Sequence, residues 1–236
     1  IIHIPDKDCL NDYVKNIPEA AHLLFDKFAP GPITLLLPRK KIIPDIVTAG
    51  LPNVAVRIPK HPVALKLLSK LAFPLAMPSA NPSGYISPTK PEHVKQQLGH
   101  KIPFILDGGD CKVGIESTIV GFENNMPVIY RLGAITIKAI ESVVGKVKLK
   151  NKKSLKPESP GMTRFHYAPH TPLYITNKPV ELLKLFPEED VGIINLFKYD
   201  KHIPEKQQLI LSTSADIKEA ASNFYNALYQ LDKMNL

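Results

Sequence analysis

The side chains of this sequence best suited to chemistry stand in polar clusters beside apolar runs. Arg57 closes the run Val54-Ala55-Val56, and Arg131 follows Val128-Ile129-Tyr130. A guanidinium at such a point is either a strand-end surface group or a buried clamp for a carboxylate or phosphate. Its recurrence favours the clamp. Pro78-Ser79-Ala80-Asn81-Pro82-Ser83-Gly84 runs on to Ser87-Pro88-Thr89. Hydroxyls, an amide and a glycine offer donors and close backbone approach, which suits a phosphate or a zwitterion. The same composition also builds an ordinary turn. Asp107-Gly108-Gly109, followed by Gly114-Ile115-Glu116-Ser117-Thr118, resembles a phosphate cradle. It fits neither the Walker nor the dinucleotide fingerprint, and a plain glycine-rich turn accounts for it equally well.

Other chemistries are poorly supplied. His166 and His170 are four apart, but Pro169 lies between them and no cysteine pair accompanies them, so a zinc site is not expected. There is no Gly-x-Ser-x-Gly elbow, and neither Cys9 nor Cys111 has an activating motif. No catalytic nucleophile and no metal ligand is therefore assigned. A basic, hydroxyl-rich site without a nucleophile binds and orients charged small molecules, as nucleotidyl transfer requires.

Such groups must be gathered at strand ends, where α/β folds collect ligands. Hydrophobic periodicity predicts strands over 1–4, 33–37, 54–58, 75–77, 104–107, 117–122 and 128–131. It predicts helices over 19–28, 63–71, 91–98 and 135–143, the first with an apolar face of Ala20, Leu23, Leu24 and Phe28. Interleaved strands and helices imply an α/β sheet domain over 1–150. A linker spans 151–172, and an apolar run at 173–175, a helix at 180–185, a strand at 191–196 and a helix at 215–232 begin a second α/β unit over 173–236. Within the linker, Ser159 to His170 carries a Met, a Phe, a Tyr and two His. Those are anchoring side chains, unlike the Gly/Ser, Pro or charged composition of a free tether.

The bulk properties agree. At 236 residues, with 44% hydrophobic and 22% charged, the chain has enough apolar material for a sizeable core and no sign of global disorder. Its 23 prolines argue against a helical bundle. No apolar run reaches the roughly 18 residues of a membrane span. Two cysteines are too few for a disulfide framework, which makes the cytoplasm the expected compartment. A net charge of +8 favours polyanionic partners: nucleotide, RNA or an anionic surface. Much of that excess stands at Arg39, Lys40 and Lys41 and in the lysines before the linker. The opening Ile1-Ile2-His3-Ile4-Pro5 reads as the middle of a strand, so a missing true N-terminus is expected, and the last helix ends too early to close a second sheet.

The residues resemble the L-threonylcarbamoyl-adenylate synthases, in the two-domain form with a YrdC-like catalytic domain. The matching segments are Ile2-His3-Ile4, Pro30-Gly31-Pro32-Ile33-Thr34, Val54 to Pro59, Pro78 to Gly84 with Ser87-Pro88-Thr89, Asp107-Gly108-Gly109, Glu116 to Val120, and Arg131 with Gly133. They stand in the family's order, and the stretch Ser159 to Pro169 marks the two-domain form. The resemblance implies a twisted open mixed sheet, joined by a ligand-facing linker to a truncated Rossmann-like domain. It implies formation of threonylcarbamoyl-AMP and pyrophosphate from L-threonine, bicarbonate or CO2, and ATP, with Mg²⁺ bridging phosphates. The product would pass to a tRNA threonylcarbamoyl-transferase complex that modifies the adenosine next to the anticodon. His3, Arg57, Ser79 and Ser117 look like the L-threonine shell. Asn81, Thr89 and Arg131 look like ATP contacts, as does Asn53 through its backbone, and Tyr167 would reach the ATP from the linker. The family's Lys-x-Arg and Asn-Pro-Leu, which precede the opening strand, are absent, so the fragment as it stands is expected to be inactive or poorly folded. The rival reading is a YrdC-like module holding RNA or tRNA on its basic surface without catalysis. Carbamoyl transfer in hydrogenase maturation would bring acylphosphatase and zinc-finger segments, and none is visible.

Overall fold

Short apolar runs bounded by proline and glycine cannot sustain a helix, and in the computed structural model they become strands. The structure describes residues 1–150, 167–186, 191–201 and 203–234. They fall into two units: residues 1–78 with 116–150, and residues 79–115 with the described residues from 167 onward.

The first unit contains strands β1 (Ile2–His3), β2 (Ile33–Pro38), β3 (Asn53–Arg57), β4 (Leu75–Ala76), β5 (Thr118–Glu123), β6 (Met126–Arg131) and β7 (Lys148–Leu149). They form one mixed sheet in the order β4-β1-β3-β2-β5-β6-β7. Its helices are α1 (Leu10–Tyr13), α2 (Glu19–Phe28), α3 (Asp45–Thr48), α4 (Pro62–Leu68) and α6 (Ile137–Val144). Side chains alternate across the sheet, as strand geometry requires. Ile33, Leu35, Leu37, Val54, Val56, Val120 and Ile129 join one core with Leu24 and Phe25 of α2 and Ile140 of α6. Leu36, Ala55, Ile119, Val128 and Tyr130 form a smaller cluster between them. The larger core covers one face of the sheet and the smaller the other. Pro62 starts α4 from the first turn, where its missing N–H costs nothing. The basic stretch after β2 serves the fold: Arg39 donates to the Leu51 and Ile43 carbonyls and pairs with Asp45, and Lys40 donates to the Asn11 carbonyl.

The second unit contains α5 (Pro91–Leu98), α7 (Pro179–Leu183), α8 (Ile217–Asp232), a 3-10 turn at Glu205–Gln207, and the parallel pair β8 (Ile193–Asn195) and β9 (Gln208–Ile210). Tyr225 and Leu228 of α8 pack with Ile86, Tyr85, Ile115 and Tyr167. Gly114 is required by this packing: a Cβ there would lie 2.2 Å from the Ser222 carbonyl oxygen.

Several expectations need correction. The run 104–107 is not a strand: Phe104 is 87% and Leu106 65% exposed, and no described strand pairs with it. An apolar run becomes a strand only where a neighbour satisfies its backbone. The run 173–175 is likewise irregular and exposed. Helix α2 has the expected limits, but it buries Ala21, Leu24 and Phe25 and leaves Leu23 44% exposed. The i, i+3, i+4 stripe beginning at Ala21 is the more continuous one. Strand β9 and the four-residue helices α1 and α3 carry too short a pattern to be read from sequence.

Leu35, fully buried in the centre of the sheet, tests this core. Leu35→Ala should cost about 2–5 kcal/mol, read as a lower urea midpoint at unchanged m-value. A midpoint equal to that of the parent would mean that the strand is not packed as described.

Candidate active site

Strand directions collect the chemistry of the first unit at one edge of its sheet. β1 and β3 are parallel, in the register His3↔Arg57, so both residues stand at the C-terminal ends of neighbouring strands. β2 runs antiparallel to β3, and β5 is parallel to β2, so these two strands begin at that same edge. Ser117 lies just before β5, and Thr34 is the second residue of β2. β6 returns antiparallel to β5 and delivers Arg131 to the edge at its end.

A register shift decides where Arg131 points. β5 and β6 pair as Val120↔Ile129 but as Ile119↔Arg131, so one extra residue is accommodated between them. Directly paired residues share a face, and a bulge re-aims the side chain that follows it. Arg131 is thereby turned to the face of Ile119, the face that also carries Thr34 and Arg57. Its guanidinium donates from Nε and Nη2 to the Ser117 carbonyl at 3.0 and 2.9 Å. It also donates from Nη2 to Ser117 Oγ at 3.0 Å. Ser117 Oγ lies 2.7 Å from Thr34 Oγ1, and either hydroxyl can donate. Both hydroxyl-bearing residues are buried, at 2% and 0% exposure. The neighbouring turn is fixed by Gly133, where a Cβ would stand 2.5 Å from the Glu116 carbonyl oxygen. Arg57 donates from Nε to the Gly31 carbonyl at 3.1 Å, which orients its remaining nitrogens. His3 is buried beside it; burial first, then the Arg57 charge, push its pKa down to about 4, so the ring is neutral at physiological pH.

His3, Arg57, Ser117 and Arg131 are thus brought together. Asn53 is not: it begins β3, four residues or about 13 Å from the Arg57 end of the strand. Thr34, unassigned in the sequence reading, is the missing partner. Its signal was a lone hydroxyl in the aliphatic run Ile33-Thr34-Leu35-Leu36-Leu37.

In the second unit Ser79 is exposed, and its carbonyl accepts from the Asn81 N–H at 3.0 Å. Asn81 staples its own loop, donating from Nδ2 to the Pro82 and Tyr85 carbonyls at 2.9 and 3.0 Å. The Thr89 carbonyl accepts from the Cys111 N–H, and the Thr89 N–H donates to His93 Nδ1. Asn81 Oδ1 and Thr89 Oγ1 are shielded from water without a hydrogen-bond partner among the described residues. A buried polar group left so costs about 1–3 kcal/mol. Tyr167 is half-buried, and its ring centroid lies 5.4 Å from that of Tyr225. The Asp107-Gly108-Gly109 turn is closed by its own aspartate, which accepts from the Gly109 N–H at 2.7 Å. Of the histidine pair, His170 contacts Asp232, and His166 lies outside the described residues. The linker is described only from 167 onward.

A mixed sheet with a cationic, hydroxyl-bearing edge and no cysteine or carboxylate among those edge residues defines an α/β protein of the YrdC-like class. Consistent with this, the chain matches the crystal structure of E. coli YciO with a TM-score of 0.51 at 25% identity, covering 59% of this chain and 68% of that one. A family model named for Sua5, YciO and YrdC, described as Telomere recombination, matches residues 1–133. A second, described as Threonylcarbamoyl-AMP synthase, C-terminal domain, matches residues 135–236. The chain is 36% identical to the threonylcarbamoyl-AMP synthase of Pyrococcus abyssi, covering 99% of this chain and 71% of that protein. It is 37% identical to that of Bacillus subtilis, covering 99% of this chain and 70% of that protein. The crystal structure of P. abyssi Sua5 complexed with L-threonine matches with a TM-score of 0.87, at 36% identity over 98% of this chain and 71% of that one. The chain belongs to the Sua5/YciO/YrdC family, among its threonylcarbamoyl-AMP synthases, and is an enzyme of the nucleotidyltransferase type.

The depressed His3 pKa has a consequence for stability. In the unfolded chain the ring takes a proton near its ordinary 6.5, whereas in the folded protein it does so only near 4. The unfolded state therefore binds more protons in this window, and stability rises with pH from about 4 to about 6.5. His3→Gln should flatten that part of the stability profile. An NMR titration placing the His3 midpoint at or above 6 would contradict the buried, neutral imidazole.

Proposed function

We propose that this chain forms threonylcarbamoyl-AMP and pyrophosphate from L-threonine, bicarbonate or CO2, and ATP. The observation that carries the reading is the single sheet edge of the first unit, where Arg57, Arg131, Ser117, Thr34 and a neutral His3 converge. Similarity over nearly the whole chain to a protein crystallised with L-threonine supports it.

Each residue has a role suited to its chemistry. Arg57 pairs the threonine carboxylate through its guanidinium, whose plane the bond to the Gly31 carbonyl helps to fix. Neutral His3 accepts a hydrogen bond from the amine, which must be unprotonated to attack. Ser79 and Ser117 complete the threonine contacts. The amine nitrogen bonds to the CO2 carbon and releases a proton, giving a carbamate. A carbamate oxygen then attacks the α-phosphorus in line, and the bond to pyrophosphate breaks with its electron pair leaving on the pyrophosphate oxygen. This chemistry is driven by positioning and charge neutralisation, with no protein nucleophile. Arg131, Asn81, Thr89 and Tyr167 are assigned to the nucleotide. Asn53, at the start of β3, is assigned to the nucleotide through its backbone rather than to the threonine shell around Arg57. Among the described residues no group of three or more His, Cys, Asp or Glu could hold a metal ion. A Mg²⁺ entering with ATP fits best as an ion carried by the phosphates, as is usual for that cation.

We assign 1–150 to catalysis, 151–172 to the linker and 173–236 to the second domain. The product is a mixed anhydride that a transferase complex must consume by acyl transfer to a tRNA adenosine. The free thiols of Cys9 and Cys111 suit the reducing cytoplasm, the location we propose. No described helix is long and apolar enough to cross a membrane. Arg39 and Lys40 are engaged within the fold, which weakens the alternative of an RNA-holding surface.

The test is pyrophosphate release by the full-length protein with ATP and threonine varied separately. Arg57→Ala removes a charge-assisted carboxylate contact and should raise the threonine KM by about tenfold or more, with the ATP KM little changed. Threonine dependence identical to that of the parent would overturn the assignment, and salt-sensitive RNA binding without any response to threonine would favour the module instead.

A further inference from the structure

The loop 79–89 and the segment 167–171 converge, within the second unit, on one buried carboxylate. Asp232 is the final residue of α8, and its side chain is 2% exposed. A carboxylate is doubly disfavoured there: burial strips its water, and the last turn of a helix carries partial negative charge. Three donors offset this. The Tyr85 hydroxyl donates to Oδ2 at 2.6 Å, the Thr171 N–H donates to Oδ1 at 2.8 Å, and His170 Nδ1 lies 3.0 Å from Oδ2. One of them belongs to the loop that carries Asn81 and Thr89; the other two belong to the segment that begins with Tyr167. The Ala168 N–H donates to the Gly84 carbonyl at 2.9 Å and ties the same two pieces again. The Tyr85 and His170 ring centroids lie 4.5 Å apart, with the rings tilted by 34°.

Tyr167 needs such fastening. Its φ of +64° lies in the left-handed region, which a bulky residue occupies only when its surroundings over-determine it. Its ring packs on Tyr225, which shares a face of α8 with Leu228 and Asp232 through i+3 and i+7 spacing. The ring and the backbone that follows it are therefore held by the same helix face.

We propose that Asp232 is a positioning residue for the nucleotide: it fastens the backbone after Tyr167 to the Tyr85 loop, so that Tyr167, Asn81 and Thr89 are presented as one preorganised group. This rests on the reading of Tyr167 as an ATP contact. Burial alone would raise the Asp232 pKa; hydrogen bonds from Thr171, Tyr85 and His170 outweigh it and hold the carboxyl below its usual range, so the acceptor is charged at neutral pH. Tyr85 is pushed up, by burial and then by its bond to Asp232, and stays a donor.

The test compares Asp232→Ala, Asp232→Asn, Tyr85→Phe and Tyr167→Ala in the full-length protein. Kinetics of pyrophosphate release, with ATP and threonine varied separately, are read beside amide hydrogen exchange at Ala168 and Thr171. Asp232→Ala should raise the ATP KM about tenfold, leave the threonine KM within about twofold, and speed exchange at both amides about tenfold, the effect of losing a hydrogen bond to a charged group. Asp232→Asn keeps an acceptor for Thr171 and should recover part of each change. If Asp232→Ala is too unstable to assay, Tyr85→Phe should move the same readouts in the same direction by less. Unchanged exchange overturns the clamp. Faster exchange with an unchanged ATP KM, while Tyr167→Ala does raise it, overturns the positioning role alone. An unchanged ATP KM in Tyr167→Ala overturns the nucleotide reading and the proposal with it.

Discussion

The first unit depends on one short hydrogen-bonded chain, Thr34 to Ser117 to Arg131, made possible by a one-residue shift between β5 and β6. Without the shift, alternation would send Arg131 to the face packed against α2 and α6, where a guanidinium has no partner among the aliphatic side chains. With it, the guanidinium meets a hydroxyl and a carbonyl at the mouth of β5, and two buried hydroxyls are satisfied by each other. The same few contacts solve a folding problem and hold cationic groups at a sheet edge. Packing and the candidate site share the same contacts there.

The second unit meets the same difficulty with the opposite charge. Asp232 is buried at a helix terminus that repels it, and it draws donors from two segments far apart in the chain. In both places a costly buried group is compensated by partners from different elements, so the geometry of those elements is fixed by electrostatic need as well as by apolar packing. Glycines serve this close packing. Gly133 and Gly114 each lie where a Cβ would strike another backbone, and the second was as easily read from sequence as part of a phosphate cradle.

Strands β2, β3, β5 and β6 and helices α2, α4, α5 and α6 were legible because each carries a strong local period between proline or glycine stops. The run 104–107 failed for the converse reason. Its residues suit a strand, but pairing is a property of the neighbour, and none is provided among the described residues. The apolar stripe of α2 was misread by one position because which of two nearby stripes is buried depends on the sheet beneath it. Arg57, Ser117 and Arg131 stand in polar clusters visible in the sequence, and the structure places all three at one sheet edge. Thr34 and Asp232 do not stand out in this way: a threonine in a strand and an aspartate in a helix are commonplace until their partners are known.

By itself the sequence determined the residue types of the candidate site, the α/β class, and a family relation that rests on short segments in a fixed order. These are local properties, recorded in spacing and composition. Only the tertiary structure decided that Arg131 faces Ser117, that His3 and Arg57 end neighbouring strands, and that Tyr85, His170 and Thr171 share one carboxylate. Each of these turns on strand direction, on a register shift or on burial. Such quantities arise only when distant segments compete for the same buried space, and no window of sequence contains them.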